Sequence, residues 1–162
     1  MGDAAERAYV AALKMLARRE LCEAQVRDRL ERRRAYEPDE VDAAVARLKR
    51  EKALDDRRTA LACARTEVRV KRHGRHRVLQ QIESLGVSRA LARAAVKEAF
   101  EEVDERKMLD DAIKRRARRR TGFDAAEARR MHRYLLVQGF DPAEIASALR
   151  TRTKDLRMSD DD

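Results

Sequence analysis

Apolar residues recur along this chain at helical spacing. Tyr9, Leu13 and Leu16 stand at i, i+4 and i+7, as do Val41, Val45 and Leu48, while Leu61, Ala64 and Val68 follow the i, i+3, i+7 variant. Such intervals put each trio on one side of a helix, where a strand would need alternation. No run of alternating β-branched residues competes, and the chain holds only two prolines and five glycines. The pattern predicts an all-α fold.

The pattern also repeats. Val26 and Leu30 recur as Val78 and Ile82, then as Met131 and Leu135, at shifts of 52 and 53 residues. Tyr36 corresponds to Val87 and Phe140, and Val45 to Val96 and Leu149, at shifts of 51 and 53 residues. The first copy therefore carries one extra residue in its connecting turn. The turns agree in chemistry: Leu85-Gly86-Val87-Ser88 in the second copy and Gln138-Gly139-Phe140-Asp141-Pro142 in the third. Gly86 and Gly139 suit the left-handed end of a helix. Val87 and Phe140 suit an apolar staple, and Ser88 and Asp141 suit caps for free N–H groups. Pro142 fits a first helical position, where no donor is needed. Ala35-Tyr36-Glu37-Pro38 keeps the aromatic and the proline but lacks the glycine, so the first turn is expected to close differently.

Three helices per copy follow: about 5–18, 23–34 and 38–51, then 56–72, 75–85 and 89–102, then 105–119, 125–138 and 142–152. The expected organisation is three tandem three-helix units, 1–54, 55–103 and 104–153, with an unstructured acidic tail at 154–162. A unit of about 50 residues buries too little surface to stand alone. The units should lean on one another as an elongated, curved array.

Composition sharpens this picture. Lys and Arg number 39 against 30 Asp and Glu, a net charge of +9, which favours a polyanionic partner. Charged residues reach 43% and aromatics only 4%, consistent with narrow apolar stripes on charged helices. Cys22 and Cys63 form no CxxC pair, which argues against a disulfide scaffold or a structural zinc. No leader-like or membrane-spanning apolar run is present, and Glu6 breaks a myristoylation pattern at Gly2, so a cytoplasmic protein with no membrane partner is expected.

The stretch Leu54-Asp55-Asp56-Arg57-Arg58 is followed by Gly74-Arg75-His76-Arg77-Val78-Leu79-Gln80-Gln81-Ile82 and then by Leu85-Gly86-Val87-Ser88. This order resembles the central signature of the RecX family, an L-D-D-x-R segment, a G-x-x-R-I-x-x-x-L helix and a K-G-I turn. Leu16-Ala17-Arg18-Arg19-Glu20 is similar to the family's L-x-x-R segment. Tyr134-Leu135-Leu136-Val137-Gln138-Gly139-Phe140 is similar to its L-x-x-R-G-F ending. The resemblance spans about 150 residues in the right order. Three positions depart from it: Cys22 stands where Ser usually caps a helix, Thr59 replaces an aromatic, and Gln138 replaces a basic residue. The resemblance implies a monomeric, non-enzymatic regulator that binds RecA filaments on DNA, in their groove or at an end. It implies reduced ATP hydrolysis and strand exchange by RecA, weak binding to single- or double-stranded DNA, and a role in DNA repair, recombination and the SOS response. Leu54, Asp55, Asp56, Gly74, Gly86, Gly139 and Phe140 are its structural signature.

Two basic stretches are the candidate partner or nucleic-acid contacts. The first is Arg65, Arg69, Lys71, Arg72, Arg75 and Arg77, with His73 and His76 interspersed and only Glu67 opposing. The second is Lys114, Arg115, Arg116, Arg118, Arg119 and Arg120, six basic residues in seven. Such runs also serve as solvated helix ends that complement the helix dipole. For the second, only Asp110, Asp111 and Asp124 are near enough in sequence to offset it, so a phosphate- or carboxylate-bearing partner would relieve its repulsion. Arg77 is expected to bond back across the joint between units.

Catalysis has little support. Asp55 and Asp56 precede a helix and read as caps rather than as paired acid and base. His73, His76 and His132 are scattered, the cysteines suit buried filling, and no GxxxxGK[ST], GxGxxG or HExxH motif occurs. No cofactor or metal is expected, and any effect on ATP turnover acts through the partner. The rival readings are a stand-alone helix-turn-helix DNA binder and an adaptor that contacts protein only.

Overall fold

The computed structural model describes residues 2–32, 36–118 and 123–159, with side chains as far as Arg152. Among the described residues all regular elements are α-helices, nine in number. They are α1 Asp3–Leu16, α2 Glu23–Arg32, α3 Pro38–Arg50, α4 Asp56–Arg69, α5 Arg75–Glu83, α6 Arg89–Phe100, α7 Glu105–Ala117, α8 Ala125–Val137 and α9 Pro142–Ser159. In chain order they fall into three sets of three, as the periodicity predicts. One boundary differs substantially. α9 continues to Ser159, past the point where the tail was expected to begin, and no Gly or Pro between Arg150 and Ser159 stops it. Asp160–Asp162 lie outside the described residues.

The repeat positions are core positions. Val26, Val78 and Met131 are buried, as are Leu30, Ile82 and Leu135, and Val45, Val96 and Leu149. Burying each of the larger ones contributes about 2 kcal/mol. The turns behave as their composition requires. Gly86 and Gly139 take φ of +87° and +88°, and Val87 and Phe140 are buried beside them. Ser88 Oγ accepts from the Leu91 N–H at 3.3 Å. Asp141 Oδ1 accepts from the N–H groups of Ala143 and Glu144 at 2.9 and 3.1 Å. The glycine-free first turn instead uses a capping box, in which Glu40 Oε2 accepts from the Glu37 N–H at 2.8 Å.

Contacts gather the chain into two compact units, Met1–Cys63 with Gln81–Ala95, and Ala64–Gln80 with Val96–Asp162. Each unit contains one complete terminal set of helices and part of the middle set. In the first, Tyr9, Leu21, Val26, Leu30, Val41, Val45, Leu48 and Leu54 form one apolar cluster. In the second, Leu109, Ile113, Leu135, Phe140 and Ile145 are buried where α7, α8 and α9 pack together.

Within each unit the same joint is built from equivalent residues. In the first, the start of α2 meets the turn after α5: the Cys22 thiol donates to the Leu85 carbonyl at 2.6 Å, and Ala24 abuts Gly86. Burial pushes this thiol's pKa up, so the donor proton is retained. Asp56 Oδ1 accepts from the Glu23 N–H at 2.7 Å, giving α2 the cap that Cys22 itself does not supply. In the second unit, the start of α5 meets the turn after α8. Gly74 N–H donates to the Gln138 carbonyl at 2.8 Å and His76 N–H to the Gly139 carbonyl at 3.1 Å. Arg75, the counterpart of Glu23, binds Glu105, the counterpart of Asp56, at 2.8 Å. Arg77 does reach back, donating to the Val137 carbonyl at 3.2 Å.

The residues that carry the resemblance are therefore joint and cap residues. Leu54 is buried, and Asp55 Oδ1 caps α4 by accepting from the Arg58 N–H at 3.0 Å. Arg58 also reaches the Lys52 carbonyl at 3.0 Å and Glu20 at 3.1 Å, covering the end of α3. Thr59, where an aromatic is usual, is buried and donates to the Asp55 carbonyl at 3.0 Å.

Gly74 has no room for a side chain. A Cβ there would sit 2.3 Å from the Gly139 carbonyl oxygen and 2.6 Å from the Phe140 nitrogen, both backbone atoms. Gly74→Ala should therefore destabilise the fold by about 3 kcal/mol. Gly2→Ala, which meets nothing within 4 Å and changes only the N-cap of α1, should cost under about 1 kcal/mol. Urea unfolding followed by circular dichroism checks both, and equal midpoints for the two variants would contradict the packing argument.

Candidate partner interface

The two basic stretches meet different surroundings. Arg65 and Arg69, one turn apart at the end of α4, and Arg72, in the turn that follows with φ of +58°, line a cavity of about 520 Å³. Glu98, Glu101, Glu102, Asp104 and Asp111 line the same cavity, and Arg65 pairs with Glu98 at 3.3 Å. Lys71 binds Glu67 at 2.6 Å, Arg75 binds Glu105 and lies over the Phe100 ring at 4.6 Å, and Arg77 holds the Val137 carbonyl. Four of the six cations thus have internal partners. Arg69 and Arg72 are exposed beside the acidic wall.

Glu67 explains how this stretch is anchored. Its side chain is buried, and its two oxygens take Lys71 Nζ and His73 Nδ1, each at 2.6 Å. Burial alone would push its pKa up, but the bonds from Lys71 and His73 outweigh burial and hold the carboxyl below its ordinary value. The His73 N–H closes the turn by donating to the Glu67 carbonyl at 3.1 Å.

The second stretch is not neutralised in this way. Lys114, Arg115, Arg116 and Arg118 are exposed at the end of α7, where Arg118 takes φ of +47° and closes the helix. Arg119 and Arg120 lie outside the described residues. The three nearby acids are engaged elsewhere. Asp110 pairs with Arg152 at 3.1 Å, and Asp111 faces the cavity of the first stretch. Asp124 caps α8, accepting from the Glu127 N–H at 2.7 Å. That bond, a second from the Ala126 N–H, and the charges of Arg130 and Arg129 hold the Asp124 carboxyl below its ordinary value. Among the described residues, no ion pair joins Lys114, Arg115, Arg116 or Arg118 to an acid.

Folding also adds cations that the linear reading missed. Arg129, Arg130 and Arg133 are exposed on α8. Arg116 and Arg118 share with Arg130 a cavity of about 270 Å³ whose walls include Phe123 and Met131. Arg116 stacks over the Tyr134 ring at 4.9 Å, fixing the end of α7 against α8. The α8 cations are spaced along one helix face rather than in a run, so only the 3.6-residue period could have found them. Glu127 lines the same cavity, one carboxylate against three guanidinium groups, and the remaining positive charge suits a carboxylate or phosphate ligand.

Two kinds of comparison place this architecture. Residues 8–48 match the family model described as RecX, first three-helix domain. A protein of Syntrophotalea carbinolica named Regulatory protein RecX is 29% identical over 141 residues, covering 84% of this chain and 90% of that protein. The fold is that of a solved RecX from Lactobacillus salivarius, with a TM-score of 0.77 at 17% identity, covering 93% of this chain and 97% of that one. A second solved structure, of regulatory protein RecX, gives a TM-score of 0.76 at 18% identity over 92% of this chain and 72% of that one.

The anchoring of Glu67 has a pH consequence. A carboxyl whose pKa is lower in the folded than in the unfolded state stabilises the fold above its unfolded value of about 4.5. That contribution is lost as pH falls through the lower, folded value. Lys71 is half exposed, so solvent screens its share, and Glu67→Gln should cost about 1–3 kcal/mol at neutral pH. The variant should also lose stability less steeply than the parent below pH ~4.5. Urea midpoints across that range check it, and parallel acid limbs would show that Glu67 contributes no such linkage.

Proposed function

Because this chain belongs to the RecX family, we propose that it binds the filament formed by RecA on DNA and restrains it. The reading is of a regulatory protein that acts by contact. Docked across neighbouring RecA subunits, it would hinder nucleotide turnover, strand exchange or filament growth, and so modulate DNA repair and homologous recombination. The observation that carries the site is the excess of positive charge where α7 meets α8. Arg115, Arg116, Arg118 and Arg130 form its centre, because Asp110 is held by Arg152, Asp124 caps α8, Asp111 lines another cavity, and Glu127 is one carboxylate against several cations. Arg119 and Arg120 extend it in sequence. Arg69 and Arg72 form a weaker second contact, tempered by the acidic wall opposite. We read the three helical sets, 1–54, 55–103 and 104–153, as three successive docking modules on a repeating partner.

The same cations suit DNA phosphates, which supports a second reading as a helical DNA-binding protein. The two readings separate experimentally. Binding to phosphates alone should weaken linearly with salt on a log–log scale, with a slope set by the number of phosphates contacted. Binding to a filament should require RecA and saturate at a stoichiometry set by RecA.

The deciding assay is RecA ATP hydrolysis on single-stranded DNA with increasing amounts of this protein. Turnover should fall, and unchanged turnover at saturation would refute the proposal. Arg115→Glu/Arg118→Glu/Arg130→Glu should weaken inhibition about 10–100-fold without loss of helicity. Full inhibition by this variant would remove the α7–α8 face from the site.

A further inference from the structure

Helix α1 carries two stripes. Ala5, Ala8, Tyr9 and Ala12 are buried against the first unit's core. A second stripe of Arg7, Val10, Ala11, Lys14, Met15 and Arg18 follows the same helical period, and none of its members is buried. With residues from α2 and the two flanking turns, it lines an open groove of about 870 Å³. The floor is apolar: Val10 is 39% exposed, Ala11, Met15 and Tyr36 are half-buried, and Leu21 closes the bottom. One exposed valine would mean little, but here it is continuous with half-buried apolar neighbours along a single groove.

The rim is strongly basic. Arg7, Lys14, Arg18 and Arg19 come from α1 and the turn after it, Arg29 and Arg32 come from α2, and among the described residues Glu6 is the one acid lining the groove. Glu6 is already bound by Arg47 at 2.8 Å. Arg7 pairs with Asp3 and Arg32 with Asp28, each one turn away on its own helix. Lys14, Arg18, Arg19 and Arg29 have no acidic partner among the described residues.

We propose that this groove receives an amphipathic helix of another protein, with its apolar ridge on the floor and acidic residues on both flanks. Cations from α1 on one wall and from α2 on the other match acids flanking a ridge. The aliphatic and thioether floor accepts branched side chains, and Met15 can adapt its shape to them. A single-stranded nucleic acid fits less well, since it needs a succession of stacking rings and, among the described residues, the floor offers one, Tyr36. The 14 residues of α1 extend about 21 Å, which corresponds to a ligand helix of about four turns. The inference does not rest on the RecA reading, because it concerns different residues and specifies its partner by chemistry alone.

The test is fluorescence anisotropy with the full chain. The probe is a fluorescein-labelled peptide of about 16 residues, built from Leu, Ala and Glu, with Leu at helical spacing and Glu flanking it. Saturable binding is expected, weakened about tenfold or more by Val10→Glu and by Arg18→Glu/Arg29→Glu. The same peptide with Lys in place of Glu, or with its order scrambled to break the period, should bind at least as weakly. Val10 is exposed in the free protein, so an unchanged melting temperature will certify that Val10→Glu still folds. Absence of peptide binding, equal binding by the scrambled peptide, or unaltered affinity of both variants each overturns the proposal. So does loss of oligothymidylate binding in Arg18→Glu/Arg29→Glu with peptide affinity unchanged, which would make the groove a nucleic-acid face. Because RecA is absent from this assay, its failure leaves the ATPase result untouched, and the reverse is also true.

Discussion

Close backbone contact at the turns is the constraint on which the rest of this structure depends. At Gly74 and Gly139 two main chains meet with no side chain between them, and two N–H groups of one turn bond directly to carbonyls of the other. Where side chains separate two elements, slack can be absorbed by a rotamer change. Main chains packed together fix the angle between elements much more tightly, because neither side has a torsion to spare. Ala24 against Gly86 is a slightly looser version, with the Cys22 thiol doing the work of an N–H donor. A chain built of small helical sets, each with little core, gains definition from these joints.

The joints also explain where the polar signature residues went. Asp55 and Asp56 are adjacent in sequence yet serve different helices, Asp55 capping α4 and Asp56 capping α2. Arg75 and Glu105 reproduce the second of these links as a side-chain ion pair. The repeat is thus conserved within the chain as a geometry more than as residue identity. Backbone donor to carboxylate in one joint becomes guanidinium to carboxylate in the next.

Charge follows the same logic. Both basic stretches have similar composition, but their roles diverge according to which acids folding brings near. The α4–α5 stretch is wrapped around Glu67, Glu98 and Glu105, which pair with Lys71, Arg65 and Arg75 within its own unit. The end of α7 gains Arg130 as a neighbour while Asp110 is drawn to Arg152, so its positive charge is offset only in part, by Glu127 on the same cavity. The α1–α2 groove adds a third basic surface, distinguished by an apolar floor. A field of this sign steers negatively charged partners toward it, while the apolar floor selects among them.

Much of this was legible in the residues. The 3.6-residue period and the threefold recurrence of Val26, Leu30 and Val45 determined helix number, order and core positions, because those depend on local geometry and burial alone. Gly86, Gly139, Ser88 and Asp141 likewise determined their turns, since left-handed φ and capping are local requirements. Other features were decided only by the tertiary structure. The need for glycine at position 74 arises from Gly139, 65 residues away, and appears only when two turns touch. The internal pairing of most of the first basic stretch, the addition of Arg130 to the second, and the groove beside Val10 arise for the same physical reason. Coulombic and packing interactions depend on distance in space, and only folding determines which distant side chains become neighbours.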